Sequence, residues 1–532
     1  MLRSVRSQSS GRIIRISSAP LRVRYWLLGL LALASSLLLV LSFPDFNLTY
    51  LAWIAILPLL FAIDGLAPRK AFAVSYLTGV VFFLGVGYWL IHVTLPGMIG
   101  VVLFMGLYFG IFGLIVSYRL QFTGYRLLFL IPAAWVTMEW LRSTLLGGFG
   151  WSLLAHSQSR NLPIIQIADI TGAYGVSFIV ALVNAAIFLT VKDICAKKFK
   201  KIPYLLITVF LLYISVAYGI LRVKNIFTGQ SVRVAVVQGN ISQDRKWDAL
   251  FAEEILSKYE RLTKDSSKEK PDLIIWPETS VPGYLGRERI LSERLRALAA
   301  SVGTHILAGA PTERSAKIEY YNSAILFSDD GRVVDQYDKI HLVPFGEYLP
   351  FKAVFSFVEN FAPSPIGDFS FGRDYKVFKF MIERGSTEKD IGWKLIKKVK
   401  FSCLICFEDI FPDMARKFVK NGAAFLVNIT NDAWFGNSSA PYQHVQCSVF
   451  RAVENRVNVV RAANTGLSCF IDQKGRVTDV VSSGGKDLFI EGYRSRDIIL
   501  TPTRTFYTFY GDLFAYACML YVLFCFILKN KK

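Results

Sequence analysis

The chain has 532 residues, of which 53% are hydrophobic and 19% charged, and its mean hydropathy is +0.40. This composition leaves too little polar surface for a soluble protein of that size, so part of the chain is expected to lie in a membrane. The net charge of +20 is typical of nucleic-acid-binding proteins, but much of the excess flanks apolar segments, and we expect no nucleic-acid partner.

Apolar segments in the first half and at the end of the chain predict membrane spans, which need about 17 to 25 residues. Seven candidates precede a long polar-containing region and an eighth closes the chain: 25–43, 48–63, 71–93, 98–116, 127–141, 174–191, 203–221 and 513–528. We therefore expect a polytopic α-helical membrane domain of about eight spans, with seven in residues 25–224 and the last, followed by a basic cytoplasmic tail, in residues 505–532.

Basic residues predict the orientation of these spans. Residues 1–24 carry six arginines and no acidic residue, and every second loop after them carries further Lys or Arg. The short loops between carry only Arg142 and Arg160. Because loops rich in Lys and Arg stay in the cytoplasm, we expect a cytoplasmic segment at 1–24 and an outward-facing domain at 225–504.

The outward-facing region alternates β-branched runs with amphipathic segments. The predicted strands include VRVAVVQ, DLIIWPE, HILAGAP, KVKFSCLIC, FLVNITND and VNVVRAAN. Predicted helices occupy 247–263, 288–300, 412–420 and 442–455, and hairpins turn at 329–331 and 473–475. Strands interleaved with helices over about 270 residues indicate an α/β layered domain with a largely buried sheet.

Three residues with reactive side chains follow predicted strand ends. Glu278 follows LIIWP, Lys339 follows VVDQYD, and Cys406 ends FSCLIC. In layered α/β domains, strand ends and the loops after them are where sites are built. Taken singly, each also fits an ordinary role as a solvated turn residue, a surface charge or a core thiol.

The three residues occur in order inside distinctive strings: WPET at 276–279, YDKIHLVPFGEYLP at 337–350 and CFED at 406–409. These strings resemble the three catalytic segments of the carbon-nitrogen hydrolase (nitrilase) superfamily. With NDAWFG at 431–436, RAANTG at 461–466 and the flanking spans, nearly the whole chain is similar to the apolipoprotein N-acyltransferase family. The resemblance implies an αββα nitrilase-like sandwich, held on the periplasmic side of a bacterial inner (cytoplasmic) membrane.

The resemblance also implies residue roles. Cys406 would be the nucleophile, Glu278 the base that removes its proton, and Lys339 the cation that stabilises the developing oxyanion. Glu347 and Glu408 would support Lys339 and order the pocket. The implied substrate-binding residues are Trp247, Phe407, Trp434 and Phe435.

The implied reaction is N-acylation of bacterial apolipoproteins, the last step of lipoprotein maturation. Cys406 would take an acyl chain from a membrane phospholipid as a thioester and pass it, in ping-pong order, to the α-amino group of an N-terminal diacylglyceryl-cysteine. No metal or organic cofactor is called for, and we expect a monomer. The phenylalanines that follow Glu347 would form either the core of a long insertion or a mobile lid and acyl-chain groove: Phe351, Phe355, Phe357, Phe361, Phe369 and Phe371.

Other functions fit parts of the pattern. A membrane-tethered amidase would give the acyl-enzyme to water, but a soluble substrate needs no membrane spans. A transporter with a binding domain would usually show paired repeats of broken helices, and none is evident. A Cys-His dyad using His341 or His444 and a redox pair at 403–406 are further alternatives, the latter disfavoured because residues three apart on a strand point to opposite faces.

Overall fold

The computed structural model describes residues 21–119, 125–196, 203–314, 319–349, 368–385, 394–500 and 504–527. The first part of the chain is helical. Its helices are α1 (Leu21–Leu41), α2 (Ala52–Ala55), α3 (Leu57–Ile63), α4 (Pro68–Val86), α5 (Leu95–Arg119), α6 (Tyr125–Thr144), α7 (Leu162–Ile165), α8 (Ala168–Thr171), α9 (Ala173–Cys195) and α10 (Pro203–Lys224).

The next part of the chain forms two sheets with helices between their strands. The first sheet, in spatial order, is β12 (Gly492–Leu500), β1 (Gln230–Gln238), β2 (Leu273–Ile275), β3 (His305–Arg314), β4 (Glu319–Phe327) and β5 (Val333–Asp338). The second is β11 (Val477–Thr478), β10 (Cys469–Ile471), β9 (Asn458–Ala463), β8 (Phe425–Thr430), β7 (Lys394–Ile405) and β6 (Phe378–Gly385). The helices are α11 (Gln243–Lys246), α12 (Ala252–Ser267), α13 (Arg289–Val302), α14 (Pro412–Lys420), α15 (Ala440–Asn455), α16 (Phe506–Tyr510) and α17 (Leu513–Ile527).

Among the described residues, four helices are long and apolar enough to cross a membrane: α4, α5, α9 and α10. Shorter apolar helical stretches lie at 26–41, 49–63, 162–171 and 513–527. The predicted span at 48–63 is divided into a 3-10 turn, α2 and α3, and Pro58 stands in the first turn of α3, where its missing N–H cannot continue the preceding helix. The helical half is therefore membrane-like, and the count of eight spans stays a prediction.

The basic helix ends gather at one rim of the helical half. Arg119 at the end of α5 donates from Nη2 to the Phe526 carbonyl of α17 at 2.8 Å. Lys192 near the end of α9 pairs with Asp64, which follows α3, at 2.6 Å. The Ser117 hydroxyl joins these two groups by donating to a carbonyl in the turn after α3. We call this edge the basic rim.

Side-chain alternation places the two sheets face to face. On β2, Leu273 and Ile275 belong to the core that includes the second sheet, whereas Ile274 packs beneath α12 and α13. Successive residues of a strand point to opposite faces of the sheet, so the first sheet packs against the second sheet on one face and against helices α12 and α13 on the other. Helices α14 and α15 cover the outer side of the second sheet, with side chains such as Phe418 and Phe450 buried there. The predicted αββα sandwich is confirmed.

The sandwich rests on helix ends opposite the basic rim. Gln443 on α15 accepts hydrogen bonds at Oε1 from the indole nitrogens of Trp89 and Trp151, at 3.3 and 2.7 Å. Arg456, which follows α15, pairs with Asp169 on α8 at 2.8 Å. One buried apolar core runs from the helices into the second sheet. The helical half and the sandwich are therefore packed as one body.

Candidate active site

Three strand ends bring the predicted catalytic residues together. Glu278 lies three residues after β2, Lys339 directly after β5, and Cys406 directly after β7. The first two come from one sheet and the third from the other. Only 6% of Glu278, 1% of Lys339 and 9% of Cys406 is exposed. The site is therefore a buried one, formed where the two sheets meet.

Lys339 lies between two carboxylates. Its Nζ donates to Glu278 Oε1 at 3.1 Å and to Glu347 Oε1 at 2.9 Å. Asn322 on β4 donates from Nδ2 to the same two oxygens, at 2.8 and 2.7 Å. Burial opposes the charge on Lys339, but the two carboxylates outweigh it and raise the pKa of the ammonium above its ordinary value. Lys339 is therefore a permanent cation in the site.

Glu278 is held in its ionised form. Besides the two donors on Oε1, it accepts at Oε2 from the N–H of Asn431, at 2.9 Å. Burial disfavours the charge, but Lys339 and Lys246 outweigh it and lower the pKa of the carboxyl group. At neutral pH Glu278 is therefore free to accept a proton.

Cys406 occupies a strained turn between β7 and a short 3-10 helix. Its φ is +53°, in the left-handed region that costs a non-glycine residue about 1–2 kcal/mol. Its carbonyl accepts from Asn428 Nδ2 at 3.1 Å and lies 3.3 Å from His444 Nε2, and these contacts hold the turn. Burial and the charge of Glu278 raise the pKa of the thiol, and Lys339 only partly opposes them. At rest Cys406 is therefore a protonated thiol on which the charges of Glu278 and Lys339 both act.

Glu408 links the cysteine turn to the loop that carries Lys339. Its carboxylate accepts from the N–H of Ile405 at 2.7 Å and from the N–H groups of Ile340 and His341 at 2.7 and 3.0 Å. The Tyr337 hydroxyl donates to it as well, at 2.8 Å. Burial raises the pKa of Glu408 to about 7. Unlike Glu347, Glu408 acts on the backbone around the site and makes no direct hydrogen bond to the Lys339 ammonium among the described contacts.

Two family models match most of this chain. The model of the apolipoprotein N-acyltransferase N-terminal domain matches residues 35–186, and the carbon-nitrogen hydrolase model matches residues 233–498. An apolipoprotein N-acyltransferase from Geobacter metallireducens is 40% identical over 505 residues, which cover 92% of this chain and 93% of that protein. The chain belongs to the apolipoprotein N-acyltransferase family.

Further comparisons agree with this membership. An apolipoprotein N-acyltransferase from Chlorobaculum tepidum is 32% identical, and the match covers 92% of this chain and 94% of that protein. These relatives and the carbon-nitrogen hydrolase match show that the chain is an enzyme, an acyltransferase with a carbon-nitrogen hydrolase domain. Among solved structures, Nit3 of Saccharomyces cerevisiae, a member of branch 10 of the nitrilase superfamily, is 19% identical with a TM-score of 0.38, covering 52% of this chain and 92% of that one.

In this apolipoprotein N-acyltransferase family member, Trp247 stands apart from the helix predicted at 247–263. The helix begins only at Ala252, because Asp248 accepts a hydrogen bond from the N–H of Leu250 at 2.9 Å and closes a separate turn. Trp247 is 51% exposed and immediately follows the buried Lys246. Of the predicted lid, residues 351–361 lie outside the described part of the chain.

The other predicted substrate-binding residues lie near the helical half. Phe407 stacks on Phe149, from the loop after α6, with a ring separation of 6.3 Å. Phe435 packs edge-on against Trp89 at 4.6 Å, and Trp434 is half-buried beside it. Phe435 therefore joins the sandwich to the helices, while Phe407 lies beside the nucleophile.

Some residues of the site were missed by sequence reasoning. Asn322 and Asn428 lie inside strands, where a single asparagine gives no signal. Asn431 begins the NDAWFG string, whose likeness to the family was noted without a role for this residue. Lys246 directly precedes Trp247, and its Nζ donates to the main-chain carbonyl of Glu278 at 3.0 Å.

Neither candidate histidine is directed at the cysteine sulfur by its described contacts. His341 Nε2 lies 2.7 Å from the carbonyl of Gly147, and the His341 ring packs on Phe411. His444 contacts the carbonyl of Cys406, and its two ring nitrogens also face carboxylates. These contacts favour a structural role for both rings over a Cys-His dyad.

A second charged cluster lies behind the cysteine turn. His444 Nε2 lies 2.8 Å from Asp409 and Nδ1 lies 3.0 Å from Asp432, while Arg461 pairs with Asp409 at 3.3 Å and with Asp432 at 3.0 Å. The Ser448 hydroxyl also donates to Asp409. We call these residues the supporting cluster, because His444 contacts the main-chain carbonyl of Cys406.

Proposed function

We propose that this enzyme transfers an acyl chain from a membrane phospholipid to the α-amino group of the N-terminal diacylglyceryl-cysteine of apolipoproteins, through a thioester on Cys406. The observation that carries the proposal is one buried thiol beside a carboxylate and an ammonium, in a sandwich seated on membrane-like helices. Family membership supports the acceptor, since the relatives bear the name apolipoprotein N-acyltransferase.

In the first half-reaction Cys406 attacks the carbonyl carbon of a phospholipid ester. Because the raised pKa keeps the resting sulfur protonated, its proton passes to Glu278 as the S–C bond forms. The C=O double bond opens, so negative charge develops on the carbonyl oxygen, and Lys339 stabilises it. The C–O bond breaks, Glu278 returns the proton to the leaving oxygen, and a lysophospholipid departs from the thioester.

In the second half-reaction the lipoprotein amine attacks the thioester. An α-amino group has a pKa of about 7.7 to 8.0, so a useful fraction is neutral and nucleophilic near neutral pH. Glu278 accepts the proton that the nitrogen loses as the N–C bond forms. The C–S bond breaks, and the proton passes to sulfur to restore the thiol of Cys406.

The membrane helices determine where in the cell the reaction takes place. We propose that residues 25–224 and 505–532 hold the enzyme as a monomer in the inner membrane, with 1–24 in the cytoplasm and the catalytic domain, 225–504, in the periplasm. The basic rim supports this orientation, because it lies opposite the edge on which the sandwich rests. A maleimide reagent that cannot cross the inner membrane should label a cysteine engineered at Ser483 in cells with an opened outer membrane. Labelling only after inner-membrane rupture would contradict the orientation.

The decisive experiment separates the half-reactions. Purified enzyme given phospholipid and no lipoprotein should accumulate a hydroxylamine-sensitive acyl adduct, which intact mass and peptide mapping place on Cys406. Cys406→Ala should form none and transfer nothing, whereas Cys403→Ala, which removes a buried thiol from the same strand, should retain most activity. Release of free fatty acid with no transfer to a lipopeptide amine would favour the amidase alternative, and full activity of Cys406→Ala would exclude the thioester.

A further inference from the structure

Lys246 is a buried lysine at the edge of the active site. It ends the one-turn helix α11, and only 5% of it is exposed. The segment before it is fixed to the site, because Gln243 Oε1 accepts from Asn431 and the carbonyl of Ile241 accepts from Asn464, at 2.9 and 2.7 Å. The position of Lys246 is therefore set by the loops that also hold Glu278.

The ammonium of Lys246 donates a hydrogen bond to an uncharged carbonyl group, and this contact does not neutralise its positive charge. Within the described ranges, its Nζ donates to the Glu278 carbonyl at 3.0 Å and has no carboxylate oxygen within 4.0 Å. A buried charge costs several kcal/mol unless nearby groups compensate for it. Lys258 on α12 shows the usual arrangement, since it is partly exposed and paired with Glu491 at 3.4 Å.

The charges that act on Lys246 belong to the catalytic residues. Burial lowers the pKa of Lys246 to about 8, and the carboxylate of Glu278 partly opposes this shift by favouring the protonated form. Tyr259, which lines the same small cavity, is neutral because burial raises its pKa. Lys246 therefore faces acidic groups of the reaction and no competing cation in this cavity.

A count of charges shows what Lys246 supplies. Glu278 and Glu347 carry two negative charges, and Lys339 carries one positive charge. With a protonated Lys246 the charges of these four groups sum to zero. Without it the site would hold a net negative charge, which would both favour a protonated Glu278 and oppose further negative charge during attack on the ester.

We propose that Lys246 is a positioning residue that keeps Glu278 ionised in the free enzyme and offsets the negative charge that forms when Cys406 is acylated. The role deepens the proposed function and rests on it. Lys246 acts through Glu278 and through the electrostatic balance of the site. Its effect should therefore appear in the pH dependence of acylation.

The test measures the single-turnover rate of Cys406 acylation by phospholipid vesicles from pH 3 to 10. In the wild type the acylation rate should fall at low pH as Glu278 becomes protonated, which gives an acid limb of the profile. It should fall again near pH 8 as Lys246 loses its proton, which gives a basic limb. Lys246→Met should move the acid limb upward by about one pH unit or more, remove the basic limb and lower the plateau. Lys246→Arg should keep the wild-type acid limb and remove the limb near pH 8, because arginine stays charged.

Lys258→Met is the matched control and should reproduce the wild-type profile. A Lys246→Met enzyme that acylates more slowly with an unmoved acid limb would show a purely structural role and overturn the proposal. A basic limb near pH 8 that persists in Lys246→Arg would overturn it as well, and this readout serves even where Lys246→Met does not fold. If the wild type itself forms no thioester, the proposed function fails instead.

Discussion

Two charged clusters flank the cysteine turn within the part of the chain that the structure describes. The catalytic cluster comprises Glu278, Glu347, Lys339 and Lys246, and the supporting cluster comprises Asp409, Asp432, His444 and Arg461. Each has two carboxylates and two basic groups. They differ in the kind of cation: the catalytic cluster contains two lysines, whereas the supporting cluster contains an arginine and a histidine.

The kind of cation distinguishes the cluster that we propose to act in the reaction from the cluster that holds the cysteine turn. Lysine is a compact charge on a flexible stem whose pKa responds to burial, whereas arginine stays charged and forms directed hydrogen bonds to carboxylates. Arg461 bridges both aspartates and is wholly buried, so it fixes their geometry. Lys339 and Lys246 instead outweigh the effect of burial and lower the pKa of Glu278, and Lys339 partly opposes the rise in the pKa of Cys406.

The largest expected effect on the catalytic cluster comes from Glu278→Gln. Glutamine keeps the size and much of the hydrogen bonding but cannot take the thiol proton, so acylation of Cys406 should fall about a hundredfold or more. Lys339→Ala should lose a similar factor, since the oxyanion then forms without its cation. Acyl transfer from phospholipid vesicles to the purified variants measures both losses.

His341→Ala is the control for these variants and should still acylate. Its imidazole contacts the Gly147 carbonyl and Phe411, so the loss removes packing between the sandwich and the α6 loop but no proton acceptor for the thiol. If Glu278→Gln acylated at the wild-type rate while His341→Ala did not, the assignment of the base would be wrong.

The sequence predicts the catalytic side of this comparison better than the supporting side. Glu278, Lys339 and Cys406 each follow a β-branched run within a distinctive string, and the alternation of strands and helices predicts a layered α/β domain. The αββα arrangement was implied only by the family resemblance. No local pattern predicts the pairing of His444 and Arg461 with the two aspartates, because the paired residues are 12 to 52 positions apart in the chain and meet only after β8, β9 and α15 have packed.

The membrane half shows a different limit of sequence reasoning. Hydropathy located the apolar segments, but it could not show that 48–63 is divided into short helices or that the chain after α6 forms α7 and α8 against the sandwich. These features depend on contacts such as that of Asp169 with Arg456, which joins residues far apart in the chain. Local periodicity contains no information about such pairs.

The supporting cluster should affect stability more than chemistry. Arg461→Met removes the cation that bridges Asp409 and Asp432 and leaves two buried carboxylates with one imidazole, so the free energy of unfolding should fall by about 3–5 kcal/mol. Thermal unfolding in detergent micelles measures the loss as a lower midpoint. The exposed Arg476→Met is the matched control and should unfold like the wild type.

A double variant sharpens this prediction. Adding Asp432→Asn to Arg461→Met removes one of the two carboxylates that were left without their cation, so it should recover part of the lost stability. Equal unfolding midpoints for Arg461→Met and the wild type would show that the ion pairs of Arg461 do not contribute to the free energy of unfolding. A loss of acylation at an unchanged unfolding midpoint would show that Arg461 affects the reaction rather than the stability.

The smallest expected effect is a pH dependence of stability that originates in His444. Burial and Arg461 oppose its protonation, but Asp409 and Asp432 outweigh them and raise the pKa of the imidazole above its ordinary value of about 6.5. Stability from this group is therefore fully present below about pH 6.5 and is lost as the pH rises through the folded-state pKa. The unfolding midpoint of the wild type should fall across this window.

The informative quantity is the difference between the wild type and His444→Gln. Glu408 and Glu454, whose pKa values burial raises to about 7, also make the folded state less stable as the pH rises, but they are present in both proteins. Because His444→Gln lacks the titrating cation, its midpoint should change less with pH, and the two curves should converge above pH 8. Parallel curves would mean that His444 is neutral between its aspartates. A folded His444→Gln enzyme that fails to acylate Cys406 would mean instead that the imidazole takes part in the chemistry, because its loss would then act on the sulfur rather than on the stability of the turn.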